Sequence, residues 1–274
     1  TVKTQKRTSG GFSGPFSFTQ TNLASTPAGI TTTAVDSATP ASPTAIAVST
    51  IGTAVSLTET AATNYRLTDA ACTDSQSGLT GNVGNIGSLS GTTLTIPSGN
   101  VSAGSEYTCL FTNAKIPTVA IRKVTLGNAG GPFSFTAGNL DATPADITTS
   151  TAGTAAPASP TVITVANIGQ DVTITESAAA GYAITGASCT DANSTVTGNT
   201  GSFGSLSGST LTIPAARVAA GAQFNCTFTN RKIPTVTLQK ITLGGASGPF
   251  TFAVSNLDST PAGITSQRCR PEEP

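Results

Sequence analysis

Apolar and polar residues alternate along short stretches of the chain, most clearly at residues 117–123, which read Pro-Thr-Val-Ala-Ile-Arg-Lys. Because successive side chains of a β-strand point to opposite faces, Val119, Ile121 and Lys123 share one face of the predicted strand. The lysine amine therefore ends an apolar stripe, where a charge is normally unfavourable. The same pattern returns at residues 234–240 and opens the chain at residues 1–6.

The sequence repeats every 117 residues without insertion or deletion, so that Lys6, Lys123 and Lys240 are equivalent. The pentapeptide Gly-Pro-Phe-Ser/Thr-Phe recurs with the same spacing, at residues 14–18, 131–135 and 248–252. A period of this length is typical of an array of whole domains rather than of a solenoid. We therefore predict a first repeat over residues 1–117, a second over 118–234, and a partial third over 235–274 that contains only the first strands and an atypical tail.

Seven short segments of each complete repeat have the composition and alternation of β-strands, with turn residues between them. In the first repeat they lie near residues 2–7, 15–20, 44–49, 54–60, 65–69, 92–96 and 106–112. No helical period extends over ten residues. The pattern predicts an all-β protein of tandem seven-stranded antiparallel Greek-key sandwiches or partly closed barrels. Residues 22–43 and 78–91 are predicted to be long surface loops.

The composition excludes several classes of function. Charged residues make up 9% of the chain, the formal net charge is zero, and histidine is absent. Without a basic stripe we expect no binding to nucleic acid, and without an apolar run of about 18 residues we expect no membrane insertion of this segment. No nucleophile–base pair or phosphate-binding loop is visible, so we expect no cofactor and no enzyme activity on external substrates.

Four of the five cysteines follow the repeat, and within each repeat the two cysteines are 37 residues apart: Cys72 with Cys109, and Cys189 with Cys226. This spacing predicts one disulfide per repeat and an oxidising, extracellular compartment. Buried free thiols are the alternative. A metal site is not expected, because no histidine or Cys-x-x-Cys partner accompanies the cysteines.

Three polar residues lie on the apolar faces of predicted strands in each complete repeat. In the first repeat, Lys6 ends the apolar stripe of the first strand, Glu59 that of a middle strand and Asn113 that of the last strand. The second repeat has the same arrangement, with Lys123, Glu176 and Asn230. One amine, one carboxyl and one carboxamide are therefore predicted to point inward in both repeats.

Such a set permits one specific reaction. The charged form of an amine in an apolar pocket is disfavoured, so the amine can become a neutral nucleophile. A buried carboxyl tends to keep its proton and can polarise the amide carbonyl while it moves protons. Attack of the amine on the asparagine side chain would expel ammonia and leave an isopeptide bond. Closing a loop of roughly a hundred residues in this way would, by analogy with a disulfide, remove about 4–5 kcal/mol of unfolded-state entropy.

A simpler interpretation is that Lys and Glu form an ordinary ion pair while Asn closes the sheet with a hydrogen bond. A strand assignment that is wrong by one residue would instead turn all three side chains outward. Both alternatives stay open at the level of the sequence.

The chain resembles the SpaA-like prealbumin-fold, or CnaB-type, domains of Gram-positive pilins and surface adhesins. The resemblance depends on the lysine of the opening strand, on Glu followed by Ala-Ala and Tyr (residues 59–65 and 176–182), and on a closing Phe-Thr-Asn. It implies a seven-stranded prealbumin-like sandwich, cross-links between Lys6 and Asn113 and between Lys123 and Asn230, and Glu59 and Glu176 as the catalytic acids. This sequence departs from the usual pattern by lacking a Pro before Gly-Tyr and by adding the cysteine pairs.

We therefore predict a structural extracellular protein, a stalk or filament of covalently clamped sandwiches at the cell surface. The surplus forty-residue segment, which is either residues 235–274 or residues 1–40, is expected to add a strand to a neighbouring chain and so build a homopolymer. The alternative is an adhesin in which a loop such as residues 22–43 binds a host or carbohydrate ligand. Cys269 has no counterpart upstream. The tail that contains it is either an artefact of expression or of the gene model, or a genuine tail whose thiol forms an intermolecular disulfide.

Overall fold

The computed structural model describes residues 1–243, 245 and 248–265 and divides into two units, Thr1–Lys232 and Ile233–Pro274. Unit 1 contains two β-sandwiches, which correspond to the two complete repeats. Unit 2 contains the beginning of the third repeat, where Phe250 and Ile264 form an antiparallel bridge. The tail that begins at Ser266, including Cys269, lies outside the described residues.

The first sandwich consists of two four-stranded sheets. Its strands are β1 (Val2–Ser9), β2 (Phe18–Thr21), β3 (Ala45–Ile46), β4 (Val55–Glu59), β5 (Tyr65–Asp74), β6 (Ser88–Ser90), β7 (Thr93–Ile96) and β8 (Tyr107–Lys115). A short helix α1 (Ser77–Thr80) follows β5, and a 3₁₀ turn (Ser98–Asn100) follows β7. The strand order is β3-β1-β8-β5 in one sheet and β2-β4-β7-β6 in the other.

The second sandwich repeats this architecture. Its strands are β9 (Thr118–Leu126), β10 (Phe135–Gly138), β11 (Val162–Thr164), β12 (Val172–Glu176), β13 (Tyr182–Asp191), β14 (Ser205–Ser207), β15 (Thr210–Ile213) and β16 (Gln223–Lys232). Helix α2 (Ser194–Thr197) and a 3₁₀ turn (Ala215–Arg217) complete it. The sheets run β11-β9-β16-β13 and β10-β12-β15-β14.

The prediction of tandem all-β sandwiches is confirmed, and each of the seven predicted segments contains a strand. An eighth strand, β6, lies within the predicted loop 78–91 and pairs with β7 through Leu89 and Leu94. With three residues, β6 is too short to show an alternating pattern. The pairing of β1 with β8 is parallel, from Val2 with Tyr107 to Ser9 with Ala114. The first and last strands of a repeat are therefore direct neighbours.

The prediction that residues 22–43 form a plain surface loop is wrong in part. Leu23, Ile30 and Thr32 are buried, and Ile30 forms a bridge with Phe16. The Thr32 hydroxyl lies 2.9 Å from that of Thr8 on β1. The segment covers the open flank of the sandwich, because the two sheets alone would leave the core exposed there.

The two sandwiches of unit 1 meet through a joint in which two glycines are in close contact. The Gly221 amide donates a hydrogen bond to the Lys115 carbonyl at 2.8 Å, and the Asn193 side chain donates to the Gly10 carbonyl of the first sandwich at 3.4 Å. A Cβ atom placed on Gly221 would lie 1.9 Å from the carbonyl oxygen of Gly10. Only a residue without a side chain permits this approach.

We expect Gly221→Ala to loosen the joint without unfolding either sandwich, because the added methyl group must push the Gly10 turn away. Small-angle X-ray scattering should then show a broader range of overall dimensions. Gly104→Ala is the matched control, since Gly104 occupies the equivalent position of the first repeat, also has a positive φ of 86°, and has nothing within 4 Å of an added Cβ. Identical scattering from the two variants would contradict this role of the joint.

Candidate functional site

In the first sandwich, the side chains of Lys6, Glu59 and Asn113 meet in the core. Lys6 Nζ donates to Glu59 Oε2 at 2.6 Å and also to Asn113 Oδ1. Asn113 Nδ2 donates to the second carboxylate oxygen, Glu59 Oε1, at 2.5 Å. The three residues are at most 2% exposed. Each group contacts both of the others, so the set forms a closed triangle of hydrogen bonds.

The second sandwich contains the same triangle. Lys123 Nζ donates to Glu176 Oε2 at 2.6 Å and to Asn230 Oδ1 at 2.5 Å, while Asn230 Nδ2 donates to Glu176 Oε1. These residues are at most 3% exposed. The structure therefore brings together all six residues of the predicted set, three in each repeat.

The strand arrangement explains why these side chains meet. Lys6 lies on β1 and Asn113 on the neighbouring parallel strand β8, where Lys6 is level with Phe111 and Asn113 is level with Thr8. Glu59 ends β4 in the opposite sheet. The amine and the amide thus come from adjacent strands of one sheet, and the carboxylate reaches them across the core.

Burial changes the ionisation of the amines. Desolvation lowers the pKa of Lys6 from 10.5 to about 8, although the hydrogen bond with Glu59 and its negative charge act in the opposite direction. Desolvation likewise lowers the pKa of Lys123 against the influence of Glu176. A larger fraction of these amines is therefore uncharged at neutral pH than for an exposed lysine.

An aromatic ring also contacts each amine, a feature that the sequence analysis did not assign. Lys6 Nζ lies 4.5 Å from the centre of the Phe16 ring, and Lys123 Nζ lies 4.7 Å from that of Phe133. In unit 2, Lys240 Nζ lies 4.7 Å from the centre of the Phe250 ring. The recurring pentapeptide Gly-Pro-Phe-Ser/Thr-Phe could have indicated this contact, because its first phenylalanine supplies the ring in all three copies.

Disulfides join Cys72 to Cys109 and Cys189 to Cys226, each between directly opposite residues of adjacent strands. The last strand of each repeat lies between two neighbours in its sheet. The disulfide links β8 to β5 and β16 to β13, whereas the lysine lies on the other neighbour, β1 or β9.

A second buried polar cluster, around Asp74, was also missed. The Asp74 carboxylate accepts hydrogen bonds from the Gln76 and Glu106 amides, the Thr80 hydroxyl and the Asn82 side chain. Burial alone would raise the pKa of this carboxyl, but the hydrogen bonds outweigh it and lower the pKa from 3.8 to about 2. In the second repeat, the equivalent carboxyl of Asp191 also has a lowered pKa, because its hydrogen bonds again outweigh the effect of burial. These hydrogen bonds attach Thr80 and Asn82, within the predicted loop 78–91, to the end of β5.

The described residues were searched for clusters of metal-ligating side chains and for membrane-spanning helices. They contain no group of three or more Cys, Asp or Glu residues that could hold a metal ion. No described helix is long and apolar enough to cross a membrane.

Comparisons with known proteins place the fold. A family model described as a prealbumin-like fold domain, SpaA_4, matches residues 2–115 and 119–232. Two major pilins of Streptococcus pyogenes are among the similar solved structures. The T-13 pilin is 14% identical with a TM-score of 0.28, and the match covers 84% of this chain and 96% of that chain. The T3.2 pilin is 13% identical with a TM-score of 0.30, covering 84% and 97%.

The search of curated proteins finds no match. The family model, in contrast, covers nearly all of both complete repeats. The chain therefore belongs to the SpaA_4 family of prealbumin-like fold domains.

Proposed function

We propose that this chain is a structural segment of an extracellular stalk or filament, in which each complete repeat closes its own isopeptide bond. The observation that carries the proposal is the buried triangle of amine, carboxylate and carboxamide, present with the same contacts in both repeats. A structural ion pair alone would not need an amide bonded to both charged groups.

The contacts fit a direct transfer of the amide. The uncharged Lys6 amine attacks the Asn113 side-chain carbonyl carbon, and Glu59 Oε2 takes a proton from the attacking nitrogen as the new bond forms. Glu59 Oε1 is bonded to the amide nitrogen, so the carboxyl group can deliver the proton to that nitrogen as the C–N bond breaks. One amide bond forms, one breaks, and ammonia leaves. In the second repeat, Lys123, Glu176 and Asn230 have the same roles.

The cross-link would join the first and last strands of a sandwich. Lys123 and Asn230 are separated by 107 residues in the sequence but lie on the adjacent strands β9 and β16. A pulling force that enters through β9 and leaves through β16 would then pass through the bond and bypass the rest of the sandwich. The reaction consumes the protein's own side chains, so we propose a structural protein rather than an enzyme.

We further propose that the chains assemble into a homopolymer by strand addition through residues 235–274. Residues 1–40 are less suited to this, because β1 lies between β3 and β8 and β2 pairs with β4. In unit 2, the apolar residues Val236, Ile241 and Leu243 are exposed, which supports a docking role. The disulfides are consistent with an extracellular location at the cell surface.

Intact mass measured in reducing buffer tests the cross-link. We expect the protein to be lighter than its sequence by two molecules of ammonia, one for each complete repeat. Glu176→Ala should regain the mass of one ammonia, because the second repeat loses its proton carrier while the first keeps Glu59. The unmodified mass in the wild-type protein would rule out the reaction.

A binding function is the second candidate, and a groove beside residues 25–31 favours it. The groove has a volume of about 380 Å³, is lined by Pro27, Ile30 and Pro40 and by uncharged polar residues, and has Thr4 among its walls. Thr4 Oγ1 is buried and has no hydrogen-bond partner among the described residues. In the second repeat, a smaller groove of about 130 Å³ has Ile121 at the equivalent position.

This groove would suit an uncharged ligand that bonds to the Thr4 hydroxyl. We expect saturation-transfer NMR to detect maltose or lactose bound to the wild-type protein and to lose the signal in Thr4→Val. Ile121→Val is the matched control and should leave the signal unchanged. Equal signals from wild type and Thr4→Val would exclude the groove as the binding site.

A further inference from the structure

A cleft of about 370 Å³ leads to the candidate site of the second repeat. Its walls include Ala178, Ala179 and Ala183 and the turn at Gly208 and Ser209. Glu176 and Asn230 also line it, although both are at most 3% exposed. Tyr182 and Ile184 complete the wall, so the cleft borders Glu176 and Asn230 and combines small side chains with two large uncharged ones.

The cleft is chemically selective. Apart from Glu176, none of the residues that line it is charged, so a charged molecule would lose its hydration without gaining a partner on the way in. At the position of Ala183, the first repeat has the much larger Arg66. A small, uncharged molecule is the kind of ligand that this passage admits.

We infer that the cleft is the exit for the ammonia released from Asn230 and, equally, an entrance for small uncharged amines. This inference rests on the proposed cross-linking reaction and names the class of external molecule that can take part in it. Where the Lys123 amine is absent, a small amine is expected to take its place and accept the Asn230 acyl group. The second repeat would then catalyse a transamidation with an external nucleophile.

The reaction balances in the same way as the internal one. The nitrogen of the incoming amine forms a bond to the Asn230 carbonyl carbon, and the bond from that carbon to Nδ2 breaks. Glu176 receives a proton from the incoming amine and gives one to the departing nitrogen, so ammonia leaves and the carboxylate is restored. The hydrogen bond from Asn230 Nδ2 to Glu176 Oε1 does not depend on Lys123, so the leaving group stays aligned without it.

Hydroxylamine is the probe, because it is small and uncharged at neutral pH. Lys123→Ala is incubated with hydroxylamine and analysed by intact and peptide mass spectrometry. We expect the peptide that contains Asn230 to gain the mass of one oxygen atom, as the carboxamide becomes a hydroxamate. The double variant Lys123→Ala, Glu176→Gln should not react, since glutamine cannot carry the proton. The exposed Asn85 reports non-specific reaction in the same sample.

The cleft itself is tested by adding Ala179→Leu to Lys123→Ala. The larger side chain narrows the passage without touching the reacting groups, so the yield of hydroxamate should fall. If Lys123→Ala does not fold, as judged by circular dichroism, Lys123→Thr takes its place, because threonine favours strands and still leaves room for hydroxylamine. An undiminished yield in the Leu variant would exclude this cleft as the entrance.

The outcomes separate this inference from the proposed function. If the wild-type protein lacks two ammonia molecules but the folded Lys123 variant does not react, the cross-link stands and the cleft inference is overturned. If the wild-type protein keeps its full mass but the variant reacts at Asn230, the cross-link is wrong and the access to Asn230 stands. If neither reacts, both are wrong.

Discussion

Glu176→Gln is expected to lower the free energy of unfolding of the second sandwich by about 4–5 kcal/mol, because the cross-link would no longer close the loop of 107 residues between Lys123 and Asn230. For a domain of this size, the loss corresponds to a fall in Tm of roughly 15–30 °C. Glutamine has the shape of glutamate and keeps the packing, but it cannot move a proton from the amine to the leaving nitrogen. Differential scanning calorimetry under oxidising conditions, which keep the disulfides, measures the effect.

Glu59→Gln is the reciprocal control. It should destabilise the first sandwich by a similar amount and leave the second unchanged, so that each variant lowers one transition only. The loss of stability must accompany the regained mass of one ammonia. A Glu176→Gln protein with full mass and unchanged Tm would show that the cross-link contributes nothing to stability.

The second large effect is expected under force. In single-molecule pulling between the ends of the second sandwich, the wild-type protein should show no extension from the residues between Lys123 and Asn230. Glu176→Gln in reducing buffer should release them and lengthen by roughly 350–385 Å, at 3.3–3.6 Å per residue. In the wild-type protein, the covalent bond between β9 and β16 is the shortest path for the force, so the residues between Lys123 and Asn230 carry no load.

The disulfide provides an internal control for this measurement. Without reductant, the residues between Cys189 and Cys226 stay closed in Glu176→Gln, so its extension should be shorter by that segment. The wild-type protein should show no extension from the residues between Lys123 and Asn230, with or without reductant. If the wild-type sandwich unfolds to the full length in reducing buffer, the isopeptide clamp is absent.

The inward direction of the site residues follows from the strict period of two of β-strands. Once Val119 and Ile121 are assigned inward, Lys123 must follow them, and Glu176 and Asn230 are placed by the same argument on their own strands. An error of register would have recurred in both repeats, and the burial of all six side chains in the structure excludes it. The roles of these residues in cross-linking stay a proposal.

The features that the analysis missed depend on contacts between segments that are distant in the sequence. Strand β6 forms because Leu89 finds Leu94 across a short turn, and the three residues have no pattern of their own. Asp74 is an ordinary acidic residue in the sequence, and becomes a buried anchor only where the Glu106 amide and the Asn82 side chain converge on it.

The sequence by itself determined the repeat and the all-β class, and it favoured a disulfide within each repeat and an inward direction of the lysine, glutamate and asparagine. These properties follow from spacing along one strand or between copies, which the order of residues specifies directly. Only the tertiary structure decided that β1 and β8 run parallel side by side, that the carboxylate bonds to both other groups, that Gly10 touches Gly221, and that a cleft reaches Asn230. The physical reason is that each of these is a distance between groups held by different strands or repeats, and such distances are set when the sheets pack.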